Sequence, residues 1–200
     1  MRWLILTMLI GLAACRSVPK AELSGLLSGA PLPRAVARPS FVLTTTSGDT
    51  FDFGFRTRGR LTLLFFGYTN CPDVCPATMQ NIAAVTNRLT SLERQRLDVV
   101  FVTTDPDRDG PNQLGPWLAR FDKAFIGLIG PIEAVDAAQR AAGVATAIRA
   151  AGGRDYAVAH AAQVLVYSPD DSGHVAYPFG TRQAEWAADL PKLMERWTGR

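Results

Sequence analysis

Apolar and polar positions along the middle of the chain follow a repeating order of strand and then helix. An apolar run at 61–66 precedes a helical pattern at 76–90, and a second apolar run at 98–103 precedes a helical pattern at 111–121. Short apolar runs bounded by turn residues are typical of buried strands. The alternation therefore predicts a parallel core sheet with crossover helices.

Further segments extend this pattern on both sides. A short apolar piece at 125–129 precedes a predicted helix at 131–142, which ends at Gly143. Before the core, segments 41–45 and 50–53 flank a Ser-Gly-Asp turn. Alternating strands around such a turn predict a β-hairpin, added on the N-terminal side of the core sheet.

The C-terminal part predicts an antiparallel strand pair and a closing helix. Segments 163–167 and 174–178 flank a Ser-Pro-Asp-Asp-Ser-Gly turn. The last predicted helix, 182–197, has apolar positions at spacings of three and four: Trp186, Leu190, Leu193 and Trp197. Together these elements predict an α/β, thioredoxin-like fold, with a central mixed sheet flanked by helices and the N-terminal hairpin as an addition.

The first fifteen residues predict an export signal. Arg2 precedes an apolar run at 3–14, which is too short for a bilayer core that needs about twenty residues. The Leu-Ala-Ala-Cys run that ends at Cys15 resembles a bacterial lipoprotein signal, in which cleavage leaves the cysteine as the lipidated first residue. An ordinary cleaved signal with an incidental cysteine and an uncleaved anchor are the alternatives.

This signal predicts a domain organisation and a cellular address. We expect a signal peptide at 1–14, a lipidated Cys15 with a flexible tether at 15–40, which is rich in Pro, Gly, Ser and Ala, and one domain at 41–200. The lipid would anchor the protein at the extracytoplasmic, periplasmic face of a membrane in the cell envelope, where disulfides are permitted. The formal charge is +3, and no basic block is interleaved with aromatic residues. This composition excludes a nucleic-acid groove.

Cys71 and Cys75 are the candidate reactive groups. They lie four positions apart, where the apolar run at 61–66 leads into a helix. Free N–H groups at a helix N-terminus favour the thiolate, so we expect both sulfurs to be acidic. Pro72 and Pro76 place Cys71 in the loop and Cys75 at the N-cap. The pair can close a disulfide or chelate one metal ion.

One of the two histidines completes a candidate metal site. His160 precedes the strand 163–167, whose start faces the Cys71 loop in a thioredoxin-like sheet. Two thiolates and one imidazole suit Cu(I), Cu(II) or zinc better than calcium or magnesium. Three protein ligands leave a coordination position free for another ligand, which suits a protein that carries a metal ion. Weaker candidates for an extra ligand are Asp73, Met79 and His174.

The acidic loop at 105–110 imitates the start of an EF-hand. Pro116 occupies the twelfth position, where a calcium site needs a glutamate, so we discount calcium. We expect Asp109 to cap the following helix, and Asp105 and Asp107 to form an acidic lip near the cysteines.

Four features, in order along the chain, resemble the Sco/SenC family: 66–76 (FGYTNCPDVCP), 104–109 (TDPDRD), 121–130 (FDKAFIGLIG) and His160 with the strand after it. The resemblance spans about residue 40 to the C-terminus. It implies a membrane-anchored, thioredoxin-like copper chaperone for the binuclear copper site of cytochrome c oxidase. It also implies that Cys71, Cys75 and His160 are the copper ligands.

Two hypotheses of different classes follow from this resemblance. In the first, a metallochaperone passes copper by ligand exchange to the apo copper site of cytochrome c oxidase subunit II, docked over the acidic lip. Candidates for docking, or for supporting the ligands, are Asp73, Asp105, Asp107 and Asp109. Another periplasmic copper chaperone or a thiol reductase would be a further partner. In the second, a thiol-disulfide oxidoreductase uses Cys71 and Cys75 to reduce the copper-ligand cysteines of its target, or it acts in redox signalling. A structural disulfide in an interaction domain is the third alternative.

Overall fold

The computed structural model describes residues 25–150 and 156–196. The strands in these ranges are β1 (Ala30–Ala37), β2 (Val42–Thr45), β3 (Thr50–Asp52), β4 (Leu61–Gly67), β5 (Leu97–Thr103), β6 (Ile126–Ile129), β7 (Ile148–Arg149), β8 (Val158–Ala159), β9 (Val164–Tyr167) and β10 (Ser172–Tyr177). The helices are α1 (Phe53–Arg56), α2 (Val74–Thr86), α3 (Ser91–Arg94), α4 (Pro111–Ala119), α5 (Ile132–Ala141) and α6 (Gln183–Arg196).

Eight strands form one mixed sheet in the order β1-β10-β9-β4-β5-β6-β2-β3. Strands β4, β5 and β6 are parallel, and β9 is antiparallel to β4. Every residue of β4 is buried, as expected for a strand covered on both faces. The predicted parallel core is confirmed. Both predicted hairpins are confirmed as well, because β2 pairs antiparallel with β3, and β9 with β10.

Helices cover both faces of this sheet, and each face has its own hydrophobic core. Leu61, Leu63 and Phe65 of β4 pack on one face, whereas Leu64 and Phe66 pack on the other. Helices α2, α4 and α6 contribute to the first core, and α5 to the second. The predicted central mixed sheet flanked by helices is therefore confirmed.

The edge strand β1 lies inside the segment predicted as a tether. It pairs antiparallel with β10, from Ala30 opposite Ala176 to Ala37 opposite Ser172, so the tether prediction is wrong for these residues. Pro31 is tolerated because an edge strand needs only one set of ladder hydrogen bonds. The register shifts between Pro31 and Val36, which explains why no regular alternation is visible in the sequence.

Helix boundaries differ from the predictions mainly around α2. This helix begins at Val74 and ends at Thr86 instead of extending to about residue 90. It ends early because Thr90 caps the short helix α3, where Thr90 and Glu93 form a reciprocal capping box. In α6, Trp186, Leu190 and Leu193 are buried as predicted.

Several predictions fall on residues outside the described ranges. They include the signal peptide, Cys15, the first part of the tether and Trp197. Among residues 25–150 and 156–196, none of the helices combines the length and the apolar character that crossing a membrane requires.

Candidate metal centre

The two cysteines lie where β4 ends and α2 begins. Cys71 is in the connecting loop, as predicted, and its Sγ accepts a hydrogen bond from the backbone N–H of Cys75 at 3.4 Å. Asp73, not Cys75, is the N-cap residue of α2, and its side chain makes no capping bond. Cys75 therefore lies one residue inside the helix. The sulfur of Cys71 takes the place that a capping oxygen usually has.

A glycine at the end of β4 makes room for Cys75. A Cβ atom on Gly67 would lie 2.8 Å from the Cys75 Sγ and 2.9 Å from a ring carbon of Phe101. Only a residue without a side chain allows the strand to approach the sulfur this closely. Cys75 is fully buried in the core beneath this strand, whereas Cys71 is 8% exposed.

His160 reaches the cysteines from another part of the chain. It directly follows β8, which pairs with β7 in a two-stranded sheet beside the main one. Its Nε2 lies 3.6 Å from the Cys75 Sγ. The two sulfurs and one ring nitrogen of His160 all lie within 4.8 Å of one another. A single metal ion can therefore contact all three.

The imidazole of His160 is oriented by its surroundings. Its Nδ1 lies 3.0 Å from the carbonyl oxygen of Ala161. Because a carbonyl only accepts, Nδ1 carries the proton of the neutral ring, and Nε2 presents its lone pair to the sulfurs. The rings of Phe65 and Tyr68 contact the imidazole edge to face, with centroid distances of 5.9 and 5.6 Å.

The pKa values of the two thiols are shifted in opposite directions. A hydrogen bond from the Cys75 thiol lowers the pKa of Cys71 to about 4, against the opposing effect of burial, and backbone N–H groups at the helix start add to the lowering. The same hydrogen bond, together with burial, raises the pKa of Cys75. The expectation of two acidic sulfurs is therefore wrong for Cys75. The Cys71 thiolate is stabilised because Cys75 keeps its proton and donates it in a hydrogen bond.

The set of donor atoms has a definite chemical preference. Two sulfurs and one imidazole nitrogen are soft ligands that suit copper or zinc, and a closed structural zinc site would need a fourth ligand. The His174 Nε2 donates to Asp170 Oδ2 at 2.7 Å, so this nitrogen is occupied by that interaction. Asp73 is exposed and lies outside the group of three donors.

Asp109 forms hydrogen bonds to the loop before Cys71 and does not cap α4. The N-cap of α4 is Gly110, without a side-chain bond, so the capping prediction is wrong. Asp109 is buried, and its Oδ2 accepts from the Thr69 N–H and the Thr103 hydroxyl, both at 2.8 Å. Burial raises the pKa of Asp109, although these hydrogen bonds oppose the shift. The sequence did not single out Thr69, although it lies within the FGYTNCPDVCP motif.

Asp105 also differs from its predicted role. It is fully buried, forms an ion pair with Arg108 and accepts a hydrogen bond from the Tyr156 hydroxyl. It therefore cannot form an exposed acidic lip, whereas Asp107 is exposed. The charges of this loop predict a solvated surface, but its position across the strand ends buries two of its three carboxylates.

Comparisons with known proteins agree with this arrangement. The family model described as SCO1/SenC matches residues 30–195. A Stutzerimonas stutzeri protein named as copper-binding is 34% identical over 149 residues, which are 74% of this chain and 72% of that protein. The mitochondrial protein SCO1 of Saccharomyces cerevisiae is 31% identical over 139 residues, which are 68% of this chain and 46% of that protein. The chain thus spans about half the length of the yeast relative.

A solved structure extends the comparison to three dimensions. The structure of Bradyrhizobium japonicum ScoI with copper bound superposes with a TM-score of 0.71 and 28% identity. The match covers 80% of this chain and 100% of that one.

Proposed function

The chain belongs to the SCO1/SenC family, and on that basis we propose that it binds one copper ion and delivers it to the binuclear copper site of cytochrome c oxidase. The family is one of cytochrome c oxidase assembly proteins. The observation that carries the proposal is the convergence of Cys71, Cys75 and His160, whose donor atoms lie within 4.8 Å of one another.

The protonation states of the three ligands favour metal capture. Cys71 is a thiolate over most of the pH range, because its pKa is lowered to about 4. In the neutral His160 ring, Nδ1–H donates to the Ala161 carbonyl, which leaves the Nε2 lone pair available to a metal ion. Only Cys75 must lose a proton when copper enters, and the positive charge of the metal favours that loss. Copper binding therefore releases one proton from this pair.

The burial of the ligands suggests the order in which copper leaves. Cys75 is fully buried, whereas His160 is half-buried and directly follows β8, a strand that lies outside the main sheet. An incoming ligand from a partner protein meets the histidine side of the site first. We expect His160 to be replaced before the two sulfurs, so that copper passes by ligand exchange.

We extend the proposal to the cellular setting. Lipidation at Cys15 would hold the domain at the periplasmic face of the membrane, and cytochrome c oxidase subunit II, with its apo copper site, would be the recipient. The Leu-Ala-Ala-Cys run supports the anchor. The family membership supports the recipient.

A transfer experiment tests delivery. Copper-loaded protein is mixed with the metal-free copper domain of subunit II, and the absorption bands of the binuclear centre are followed. We expect transfer from the wild type and from the matched control His174→Ala, but not from His160→Ala, which loses a ligand. Equal transfer from both histidine variants, or none from the wild type, would refute delivery from this site.

Thiol reduction is a second candidate function, favoured by the unequal acidities of the two cysteines. The Cys71 thiolate would attack a disulfide of the target, form a mixed disulfide and release one target thiolate. Cys75 would then lose its proton, attack Cys71 and release the second target thiolate, leaving an intramolecular disulfide. A Cys75→Ser variant traps the mixed disulfide if this chemistry takes place, and its absence would exclude it.

A further inference from the structure

The backbone that carries His160 is weakly tied to the main sheet. Strand β8 has only two residues, and its partner is the equally short β7. Neither strand belongs to the eight-stranded sheet. Besides the Ala161 carbonyl, contacts made by nearby side chains are therefore needed to fix the position of the imidazole.

Tyr156, four residues before His160, makes such contacts. Its hydroxyl donates to Asp105 Oδ1, and its carbonyl oxygen accepts from Arg108 Nη2 at 3.0 Å. The Arg108 guanidinium lies 3.7 Å from the centroid of the Tyr156 ring. Arg108 also donates from Nε to the other oxygen of Asp105. Asp105 and Arg108 thus contact the hydroxyl, the ring and the backbone of Tyr156.

The loop that contains Asp105 and Arg108 is itself fixed to the cysteine side of the site. The Thr104 N–H donates to the Gly67 carbonyl at 2.7 Å, and Asp109 accepts from the Thr69 N–H. This loop therefore contacts both halves of the metal site, the one before Cys71 and the one before His160.

We propose that Asp105, Arg108 and Tyr156 are positioning residues that hold His160 against the two cysteines. This inference rests on the proposed copper site. The buried Asp105 carboxylate fixes the Arg108 guanidinium, and both fix Tyr156. Such charge-assisted bonds are directional and leave the attached segment little freedom.

When these contacts are removed, we expect the His160 side chain to become less ordered, although the histidine is still present as a ligand. Partners that orient a ligand without touching the metal typically contribute about 10–100-fold to metal affinity. We therefore expect Tyr156→Phe and Arg108→Gln to weaken copper binding by about this factor. Tyr156→Phe keeps the ring and the carbonyl, so it is the milder variant and guards against a failure to fold.

The histidine ring protons report the position of His160 directly in metal-free protein. The sequence contains only two histidines, so His160→Ala assigns the NMR signals, and His174 serves as an internal reference. The rings of Phe65 and Tyr68 contact the His160 imidazole and must shift its signals. We expect these signals to move toward random-coil values in Tyr156→Phe and Arg108→Gln, while those of His174 stay unchanged.

Two variants elsewhere serve as matched controls. Tyr177→Phe removes a buried hydroxyl that donates to Asp189 at 2.9 Å, and Arg94→Gln breaks an ion pair with Asp122. Neither pair includes a residue of the range 156–160. Both controls should leave the His160 signals and copper affinity unchanged, even where they lower stability.

The outcomes separate this inference from the proposed function. Displaced His160 signals in both test variants, but in neither control, support the positioning role even if the wild type binds no copper. Unchanged His160 signals in folded Tyr156→Phe and Arg108→Gln overturn it, even if the wild type binds copper tightly. Signals displaced equally in the controls would also overturn it, because the effect would then be a general loss of stability.

Discussion

The Nε2 of His160 lies 3.6 Å from the Sγ of Cys75, although 85 residues separate them in the sequence. The end of β4, the start of α2 and the short strand β8 meet at one edge of the fold to produce this contact. The backbone of Gly67 lies close to the Cys75 sulfur, and the carbonyl of Ala161 orients the His160 ring. These contacts bring the three donor atoms of the site together.

The first prediction concerns the reactivity of the two thiols. Iodoacetamide should modify Cys71 with a rate whose pH midpoint lies near 4, because its pKa is lowered to about 4, while Cys75 stays unmodified. Mass spectrometry of the peptides measures each site. A thiol in an unfolded chain has a pKa of about 8.5, so the lowered pKa of Cys71 contributes its full stabilisation of the folded protein above that pH. This contribution decreases as the pH falls toward about 4.

Matched variants identify the cause of this acidity. Cys75→Ala removes the thiol donor that has the largest effect on Cys71, so the pKa of Cys71 should rise. Cys75→Ser keeps a hydroxyl donor and should preserve a low pKa. A midpoint that is the same in the alanine and serine variants would contradict the assignment.

The second prediction concerns Gly67. In Gly67→Ala, the new Cβ would lie 2.8 Å from the Cys75 Sγ, so the sulfur or the strand must move. We expect a loss of about 1–3 kcal/mol in the free energy of unfolding, typical of overpacking, and weaker copper binding. Urea unfolding and a copper competition assay measure the two effects.

A second glycine provides the control for this substitution. In Gly115→Ala, the nearest atom to the new Cβ is 3.5 Å away, an ordinary contact, and the position is inside α4. Alanine favours a helix over glycine by about 1 kcal/mol, but Pro116 disfavours a Cβ on the residue before it. These effects oppose each other, so stability should change little and copper affinity should not change. If Gly67→Ala behaved like this control, the close approach to Cys75 would be refuted.

The third prediction separates stability from metal binding. The Arg38 side chain is only 3% exposed, and it donates to Asp171, Thr57 and Thr62, each at 2.9 Å. These contacts lie around the start of β4, at the end of the sheet opposite the metal site. Arg38→Gln should lower the free energy of unfolding by about 3 kcal/mol, because it leaves buried partners unpaired.

An exposed ion pair provides the comparison for Arg38. Arg182 pairs with Glu185 at 3.2 Å, and its side chain is 78% exposed. Arg182→Gln should cost about 0–1 kcal/mol. Copper stoichiometry should stay the same in both variants. A loss of copper binding in folded Arg38→Gln would show that this network also shapes the metal site.

The sequence predicted the core of the fold because the necessary patterns are local. Buried strands such as β4 appear as unbroken apolar runs, and the two cysteines lie within one short motif. The thioredoxin-like order of elements was enough to direct attention to His160. Strand β1 was missed because it contains prolines and depends on pairing with β10 at the far end of the chain.

The chemical details of the site depend on tertiary distances that local patterns do not contain. The helix N-terminus predicts a lowered pKa for both cysteines, but the pKa of Cys75 rises because it donates to Cys71 and is buried. In the same way, Asp105 and Asp109 have the appearance of surface charges in the sequence. They are buried because the loop lies across the ends of two strands and finds partners there.

Copper titration of the reduced, metal-free protein tests the central claim most directly. The full chain is titrated with Cu(I) and Cu(II), and stoichiometry and affinity are measured by competition. We predict one copper ion per chain, held less tightly in each of three variants, Cys71→Ala, Cys75→Ala and His160→Ala, and unchanged in His174→Ala. Absent copper binding, or equal binding in the wild type and these three variants, would contradict the assignment of the site.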